Sequence, residues 1–225
     1  SIAMSKISFG YWDIRGRGQS IRLMLEYLAL DYEEVRYPRG DAPEFDCSEW
    51  LAAKPNLNLE FPNVPYLVDG EVRITESWAI MKHLGYKGNL MPETVAQRIR
   101  CDMAEGVLED FRVRFARLCY NPNFENLIEE YLTFMNTKLV YFDGFLKEAK
   151  WLSGQKLTYV DFLFCEVLDQ IRLCFPGCLK PYDNVTSYLE RFDSLEGIVA
   201  YRTSDRYRKF PINSKIAAWR GMEER

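Results

Sequence analysis

Apolar and polar positions in the first 87 residues change pattern about every ten residues. A short apolar run over residues 7–12 predicts a buried strand, and apolar positions at helical spacing over residues 16–30 predict a helix. Alternation over residues 34–37 predicts a second strand. Residues 65–74 hold two strand-like runs on either side of an Asp-Gly dipeptide, which favours a tight hairpin turn. This order predicts a small mixed sheet with helices.

Beyond about residue 90 the pattern becomes almost purely helical. Before that point, Thr75, Glu76 and Ser77 offer capping side chains for a helix that runs to about Tyr86, and residues 87–93 are typical of a linker. An apolar position at every fourth residue then predicts one long helix of roughly 25 residues. Its predicted buried stripe comprises Val95, Ile99, Met103, Val107, Phe111, Phe115 and Cys119.

Further helices are predicted by apolar spacing over residues 127–146 and 185–192. Between these two segments, Thr158 and Asp161 have the spacing of a capping box, in which a hydroxyl and a carboxylate three residues apart satisfy the start of a helix. The second half of the chain is therefore predicted to be a helical bundle.

These patterns predict two domains with a boundary near residue 90. A small α/β domain spans residues 4–87, and a larger all-helical domain spans residues 95–219. The first three residues, ahead of Met4, are typical of an expression scar and are left out of the fold prediction.

The composition fits a soluble globular protein, because 48% of the 225 residues are hydrophobic and 28% are charged. No uncharged apolar run approaches the ~18–20 residues that a membrane-spanning helix needs. We also find no basic leader with an apolar core, so we expect a cytoplasmic protein that does not enter membranes. The net charge of −4 argues against nucleic-acid binding by bulk charge.

A single histidine, His83, limits the chemistry that the chain can perform. It rules out metal sites with several histidines and leaves one candidate for a Ser–His or Cys–His pair. Its position in a short helical pattern favours a structural role. The six cysteines contain no C-x-x-C pair, so we expect reduced structural thiols and no metal site.

Gly16 and Gly18 follow a strand and precede a helix, in partial agreement with the dinucleotide-binding fingerprint. Ile21 replaces the third glycine and the predicted helix is too short, so nucleotide binding is disfavoured. The helix N-terminus is still able to receive an anion or a thiolate. Near the C-terminus, a basic cluster favours a solvated face over a nucleic-acid patch; it consists of Arg202, Arg206, Arg208 and Lys209.

Two motifs leave a core role and a functional role open. Tyr11-Trp12 ends the first strand, where a pair of aromatic residues usually belongs to the hydrophobic core. A tyrosine that faces a helix N-terminus can also donate its hydroxyl hydrogen to a bound anion. Residues 61–65 (FPNVP) precede the hairpin, and Pro65 at a strand start is a candidate for a cis turn.

Seven segments in order along the chain carry a family resemblance. They are residues 10–16 (GYWDIRG), 21–27 (IRLMLEY), 40–43 (GDAP), 61–66 (FPNVPY), 118–122 (LCYNP), 157–162 (LTYVDF) and 168–170 (LDQ). Together they closely resemble mu-class cytosolic glutathione transferases over residues 4–219. The resemblance implies an α/β thioredoxin-like N-terminal domain, an all-α C-terminal helical domain, a homodimer, and a loop at residues 38–45 over the active site.

The resembled class conjugates reduced glutathione, as a co-substrate, to hydrophobic electrophiles in detoxification, and needs no other cofactor. The reaction requires the thiolate, because a thiol is a poor nucleophile. By resemblance, Tyr11 is the catalytic residue that donates a hydrogen bond to this thiolate, and the N-terminus of the helix after Arg15 adds a favourable field. The resembled chemistry needs neither histidine nor metal, which suits this composition.

The resemblance also implies binding residues. The positions that match glutathione contacts are Trp12, Trp50 and Lys54 at its glycine end, Asn63, Val64 and Pro65 along its cysteinyl backbone, Glu76 and Ser77 at its γ-glutamyl group, and Asp110 of the other subunit at its ammonium. Phe61 matches an aromatic key that inserts into the neighbouring subunit. Arg17, Tyr120 and Ser214 match residues that line the electrophile pocket.

Several positions depart from the pattern of the class. Cys47 stands where an arginine near the glycine carboxylate is usual, and Val64 stands in place of leucine. Glu76 replaces a glutamine, and a carboxylate there still suits an ammonium. Arg17 and Asn213 replace apolar or aromatic residues near the pocket. We expect these departures to affect glutathione affinity and electrophile choice while leaving the reaction type unchanged.

Three rival functions stay open at this point. A protein of the same fold could sequester hydrophobic ligands without turning them over, but the presence of Tyr11 disfavours this reading. A glutathione-dependent isomerase or peroxidase would use the same thiolate. A nucleotide-binding enzyme is remote, because Ile21 breaks the glycine fingerprint.

Overall fold

The structure, a computed structural model, describes residues 6–222, so the predicted expression scar lies outside the described residues. Four strands form one sheet: β1 (Ile7–Trp12), β2 (Tyr32–Tyr37), β3 (Tyr66–Asp69) and β4 (Val72–Thr75). Their spatial order is β2-β1-β3-β4. β1 pairs in parallel with β2 and antiparallel with β3, and β3 pairs antiparallel with β4. The predicted mixed sheet and its hairpin are confirmed.

Helices surround this sheet and build the second half of the chain. Within residues 6–222 they are α1 (Gln19–Tyr27), α2 (Ser48–Ala53), α3 (Ser77–Lys87), α4 (Val95–Cys119), α5 (Phe124–Leu146), α6 (Tyr159–Cys174), α7 (Asp183–Asp193) and α8 (Glu196–Arg202). A 3₁₀ turn over Lys54–Asn56 follows α2. α1 to α3 accompany the sheet and α4 to α8 form the helical bundle, with the segment between α3 and α4 at the predicted linker.

Helix α1 is shorter than the predicted span of residues 16–30. Gly16 has a φ of +39°, outside the right-handed helical region, and Gly18 caps the helix that begins at Gln19. Ala29 has a φ of +49°, which ends the helical backbone soon after Tyr27. The short helices α2 and α8 were not predicted, because six or seven residues carry too little apolar periodicity.

Helix α4 has the predicted length, but the predicted buried stripe is wrong in its first half. Val95, Ile99 and Met103 are 73%, 52% and 51% exposed, whereas Phe111 and Phe115 are buried. A step of four residues exceeds the 3.6 residues of a helical turn, so such a row rotates by roughly 40° at each step. The first half of the row therefore forms an exposed apolar face.

Helix α6 lies at the centre of the bundle, and every residue from Tyr159 to Ile171 is buried. The predicted capping box at its start is confirmed, since the Asp161 carboxylate accepts hydrogen bonds from the Thr158 backbone N–H at 2.7 Å and its hydroxyl at 3.1 Å. Near the other end of α6, Arg15 donates to Glu166 at 2.8 Å and to Asp169 at 2.5 Å. This buried ion pair ties the loop after β1 to the bundle.

Several polar side chains outside the core make contacts between separate segments of the chain. His83 Nε2 lies 2.8 Å from the Asp69 carboxylate. In the C-terminal basic cluster, Arg206 pairs with Glu26 and Arg208 pairs with an aspartate of the sheet domain. All six cysteines are free thiols.

Candidate active site

The strand pairing brings four separate chain segments to one edge of the sheet. β1 and β2 are parallel, so both end at this edge. β3 begins at the same edge, because its first residue, Tyr66, pairs with Gly10. β4 ends there, since Thr75 pairs with Tyr66. The sheet therefore gathers residues 11–19, 37–39, 63–65 and 75–77, which contain most of the predicted glutathione-binding positions.

Tyr11 places a hydrogen-bonded hydroxyl group at this edge of the sheet. Its side chain is 5% exposed, and its hydroxyl oxygen accepts a hydrogen bond from the backbone N–H of Arg17 at 2.8 Å. Two glycines make room for it: a Cβ on Gly18 would lie 2.4 Å from the Tyr11 ring, and one on Gly16 would lie 2.6 Å from the hydroxyl oxygen. The glycines that partly match a nucleotide fingerprint thus permit close packing of a tyrosine.

The electrostatics around Tyr11 keep its hydroxyl protonated. Burial raises the pKa of Tyr11 above its ordinary value, and the hydrogen bond from the Arg17 N–H lowers it by less. One lone pair of the oxygen is occupied by Arg17 N–H, so the hydroxyl hydrogen is free to point elsewhere. Tyr11 is therefore equipped as a hydrogen-bond donor to an anion.

A cavity of about 330 Å³ opens beside Tyr11, between the sheet edge and the helical bundle. The predicted electrophile-pocket residues Arg17, Tyr120 and Ser214 all line it, and the Tyr120 hydroxyl accepts from the Ser214 N–H at 3.0 Å. The full lining is Tyr11, Trp12, Ile14, Gly16, Arg17, Arg39, Arg112, Phe115, Ala116, Tyr120, Gln170, Asn213, Ser214 and Ile216.

Sequence reasoning missed two arginines of this cavity, Arg39 and Arg112. Arg39 belongs to the loop at residues 38–45, which was predicted to cover the active site, so its position offered a signal. Arg112 follows Phe111 on α4, and nothing in the sequence distinguishes it from a solvent-exposed charged residue. In the structure it is buried, and its Nη1 donates a hydrogen bond to Ser77 Oγ at 3.4 Å.

An aromatic group lies next to the cavity. The rings of Trp12 and Trp50 have centroids 6.4 Å apart, and Trp50 stacks on Tyr66 at 6.3 Å. Lys54 Nζ lies 6.0 Å from the Trp50 ring centroid. The structure thus brings together the three positions predicted to hold the glycine end of glutathione. Cys47 caps α2, the helix that carries Trp50, but its side chain makes no capping hydrogen bond.

Residues 63–65 directly precede β3, whose first residue, Tyr66, pairs with Gly10 of β1. The Val64–Pro65 peptide bond is cis, which confirms the candidate cis turn. Val64 and Pro65 are buried, while Asn63 is exposed and its Oδ1 accepts from the Val64 N–H at 2.9 Å. This segment therefore enters β3 at the end of the sheet where Tyr11 lies.

Glu76 and Ser77 occupy the start of α3 at the same edge. Glu76 has a φ of +71°, a backbone conformation that costs a non-glycine residue about 1–3 kcal/mol and that clusters at ligand-binding positions. Of the three predicted cap residues, Glu76 occupies the N-cap position of α3, but its side chain makes no capping hydrogen bond. Ser77 is buried, with its hydroxyl facing Arg112.

Asp110 and Phe61 do not line the cavity of their own chain. Asp110 lies on the exposed side of α4, with its carboxylate oxygens 3.4 Å from Arg114 and 3.7 Å from Lys138. Phe61 is 74% exposed on its loop. Both positions were predicted to act across a subunit interface.

Comparison with known proteins decides the family. The family described as "Glutathione S-transferase, N-terminal domain" matches residues 7–85, and "Glutathione S-transferase, C-terminal domain" matches residues 109–205. Glutathione S-transferase Mu 5 of Mus musculus is 47% identical over 93% of this chain and 94% of its own length. The chain belongs to the mu class of glutathione S-transferases.

Other mu-class and related proteins agree with this assignment. Glutathione S-transferase 2 of Gallus gallus is 45% identical over 97% of this chain and 99% of its own. The crystal structure of the glutathione S-transferase Blo t 8 superposes with a TM-score of 0.88 at 34% identity, covering 95% of this chain and 99% of the other. The predicted fold, a thioredoxin-like domain followed by a helical domain, is confirmed for this glutathione S-transferase.

Two negative findings concern residues 6–222. In that range, no helix combines the length and apolar character that crossing a bilayer requires. The same described residues contain no cluster of three or more His, Cys, Asp or Glu side chains arranged to hold a metal ion.

Proposed function

We propose that this mu-class transferase binds reduced glutathione along the sheet edge and uses Tyr11 to hold its sulfur as a thiolate for attack on an electrophile in the adjacent cavity. The observation that carries the proposal is the Tyr11 hydroxyl. It is buried at the cavity wall, accepts from the Arg17 N–H at 2.8 Å, and retains a hydrogen to donate.

The energetics support a single hydroxyl as sufficient. A free cysteine-like thiol has a pKa near ~8.5, and lowering it by two units takes about 2.7 kcal/mol. A hydrogen bond to a charged acceptor contributes about 1.5–3 kcal/mol. The hydrogen bond that Tyr11 accepts from Arg17 polarises its O–H and fixes the direction in which it donates.

Positive charge around Tyr11 favours the thiolate further. The buried Arg22 guanidinium lies 5.9 Å from the centre of the Tyr11 ring, and Arg17 and Arg112 line the same cavity. An anion next to Tyr11 is stabilised by these cations, because the partly buried cavity screens charge less than water does.

For the tripeptide, we propose the arrangement that the sheet edge allows. Its glycine end lies on the aromatic group with the Lys54 ammonium, its cysteinyl backbone pairs with residues 63–65, and its γ-glutamyl group meets Glu76 and Ser77 at the start of α3. The Val64 N–H must exchange its present bond to Asn63 for the ligand. Glutathione is the co-substrate, and the proposed chemistry requires no other cofactor.

We also propose that the protein acts as a homodimer in which Phe61 of one subunit packs on α4 and α5 of the other. Support comes from exposed apolar side chains: Phe61 on its loop, the row Val95, Ile99 and Met103 on α4, and Val140 and Tyr141 on α5. Burying such a surface is favourable, and aromatic anchors dominate interface energies. Asp110 on the exposed side of α4 would then face the partner's glutathione.

A cytoplasmic location completes the proposal. All six cysteines are free thiols, and thiols persist in reducing compartments, where glutathione itself is kept reduced.

The test compares the wild type with Tyr11→Phe in conjugation of glutathione to chlorodinitrobenzene. The variant keeps the ring and loses the donor, so we expect turnover at neutral pH to fall roughly 10–150-fold. Tyr86→Phe is the matched control, because Tyr86 is exposed at the end of α3 and outside the cavity.

The thiolate absorbance of bound glutathione, followed against pH, reports the acidity of the thiol directly. The apparent pKa of bound glutathione should rise in Tyr11→Phe. Unchanged turnover together with an unchanged thiol pKa would refute the role of Tyr11. A protein that binds glutathione and electrophile but releases no conjugate would instead be a carrier.

A further inference from the structure

The cavity beside Tyr11 is cationic as well as apolar. Arg17, Arg39 and Arg112 line it, and no carboxylate of residues 6–222 does. The other polar groups on its wall are amides and hydroxyls, while Ile14, Phe115 and Ile216 supply apolar surface. A purely hydrophobic electrophile would use only part of this wall.

Arg39 carries a charge that its own neighbours do not neutralise. Its guanidinium lies 4.7 Å from the centre of the Trp12 ring and donates one hydrogen bond, to the Phe45 carbonyl at 3.2 Å. Among the residues that the structure describes, no carboxylate lies within ion-pairing distance of it. A guanidinium presents five N–H donors, so most of those of Arg39 are available to a ligand.

Arg17 is only partly neutralised. Its Nη1 lies 3.5 Å from Glu109 Oε1, at the outer range of an ion pair, and its side chain is 44% exposed. The same carboxylate also accepts from Trp78 Nε1 at 3.0 Å and pairs with Arg112. One carboxylate thus faces two guanidinium groups, which leaves net positive charge at the cavity.

Arg112 has a separate role. It is buried, and it is held by Glu109 and by the Ser77 hydroxyl on the side proposed for the γ-glutamyl group. The two arginines left to meet an electrophile are Arg17, beside the sulfur position through its backbone contact with Tyr11, and Arg39, on the loop across the cavity.

We propose that the cavity selects electrophiles that carry a carboxylate or a similar acidic group next to an apolar body, with Arg17 and Arg39 as the residues that bind the acid. The inference rests on the proposed function of the site. Guanidinium groups bind carboxylates through paired, charge-assisted hydrogen bonds, and the apolar wall receives the rest of the molecule.

The reaction with such a substrate balances without a further reactant. For an unsaturated ketone, the thiolate sulfur forms a bond to the β-carbon and the π electrons move towards the carbonyl. The resulting enolate takes a proton from water. The carboxylate stays ionised throughout and serves only to orient the molecule, which brings the β-carbon to the sulfur.

A matched pair of substrates isolates the charge. Ethacrynic acid and its methyl ester share one unsaturated ketone and differ in a remote carboxylate. We would measure kcat/KM for each with saturating glutathione and divide it by the uncatalysed rate. The wild type should prefer the acid by about three- to tenfold, the range expected for partly exposed charge pairs, and added salt should reduce this preference.

Variants locate the effect. Arg39→Gln and Arg17→Gln should each bring the acid-to-ester ratio towards one, and Arg39→Lys should retain part of the preference. Arg73→Gln is the control, because Arg73 is exposed on β4 and does not line the cavity; its ratio should equal that of the wild type.

The outcomes separate this inference from the function on which it rests. Turnover of the ester and of chlorodinitrobenzene without preference for the acid would overturn the inference alone. A ratio that survives both glutamine substitutions would overturn it as well. A raised KM for glutathione with an unchanged ratio would assign the arginines to the tripeptide and overturn it. Absence of any conjugation in the wild type would instead refute the proposed function.

Discussion

Gly18 offers a steric test of the catalytic geometry, because it changes the position of Tyr11 without changing its chemistry. Gly18 has a φ of −80° and a ψ of −26°, which alanine adopts freely. The added Cβ of Gly18→Ala would lie 2.4 Å from Tyr11 Cδ1 and 2.9 Å from Cγ. The contact is with ring atoms close to the Tyr11 backbone. These atoms cannot move aside in the way that the end of a long, flexible side chain can.

The displacement can be sized from these distances. Restoring ordinary contact of ~3.4 Å or more requires a relative shift of about 1 Å between the ring and the turn before α1, in a region where Tyr11 is buried. The hydroxyl would then leave both the Arg17 N–H and the sulfur position. Misplacement of a catalytic group by about 1 Å can reduce the reaction rate roughly 100-fold. We therefore expect the turnover number to fall between ten- and 100-fold, comparable to loss of the hydroxyl itself.

The assay is chlorodinitrobenzene conjugation at saturating glutathione, with the thiol pKa of bound glutathione measured in parallel. Gly144→Ala is the matched control, since Gly144 lies in α5 outside the cavity and an added Cβ would meet nothing within 4 Å. Thermal unfolding of both variants separates a local shift from general destabilisation. A Gly18→Ala enzyme with wild-type turnover and wild-type thiol pKa would show that the position of the Tyr11 ring does not limit catalysis.

Three further predictions concern assembly, stability and the pH dependence of stability. Phe61→Ser should shift sedimentation towards monomer and lower conjugation, because Asp110 would no longer reach the partner's glutathione; a fully active monomer would contradict the proposed dimer. Asp161→Ala removes the acceptor of four buried donors, the Leu152 and Thr158 N–H groups and the Thr158 and Tyr188 hydroxyls, and each donor left unpaired costs about 1–3 kcal/mol. Urea unfolding should therefore show a net loss of stability, with exposed Asp183→Ala nearly unchanged. Burial raises the pKa of Asp161 to about 6 from 3.8, so its stabilising proton is present below the lower value and is lost as pH rises through the upper one; unfolding free energy should decline across that window relative to Asp161→Asn.

Local signals predicted much of the fold, and the failure at the first half of α4 has a clear cause. The strand at Ile7–Trp12 and the capping box at Thr158 depend on neighbours in sequence, and both are confirmed. The exposed positions of Val95 and Ile99 depend on which side of α4 meets the other helices. Apolar spacing does not distinguish a core face from an interface face, because both are apolar.

The candidate site was predicted mainly through the resemblance. From spacing alone, Tyr11 could have a core role or a functional role. The structure gives it a buried ring and a place on the cavity wall, which is the geometry that the proposed function uses. Arg39 could not be assigned from its own neighbourhood, since a loop arginine is ordinarily solvated. Its place in the cavity follows from the contact of its guanidinium with the Trp12 ring at the end of β1, 4.7 Å from the ring centre, which joins distant segments.

In the proposed function, the turn between β1 and α1 separates catalysis from specificity within four residues, Arg15 to Gly18. Arg15 anchors the turn to α6 through buried carboxylates, and Gly18 admits the Tyr11 ring. Arg17 donates its backbone N–H to the Tyr11 hydroxyl, while its side chain lines the cavity proposed for the electrophile. Every residue except proline supplies that N–H, so the side chain at this position is free to change without removing the contact that orients the hydroxyl. If the proposed function holds, an arginine here changes which electrophile binds, while the activation of glutathione depends on the backbone contact.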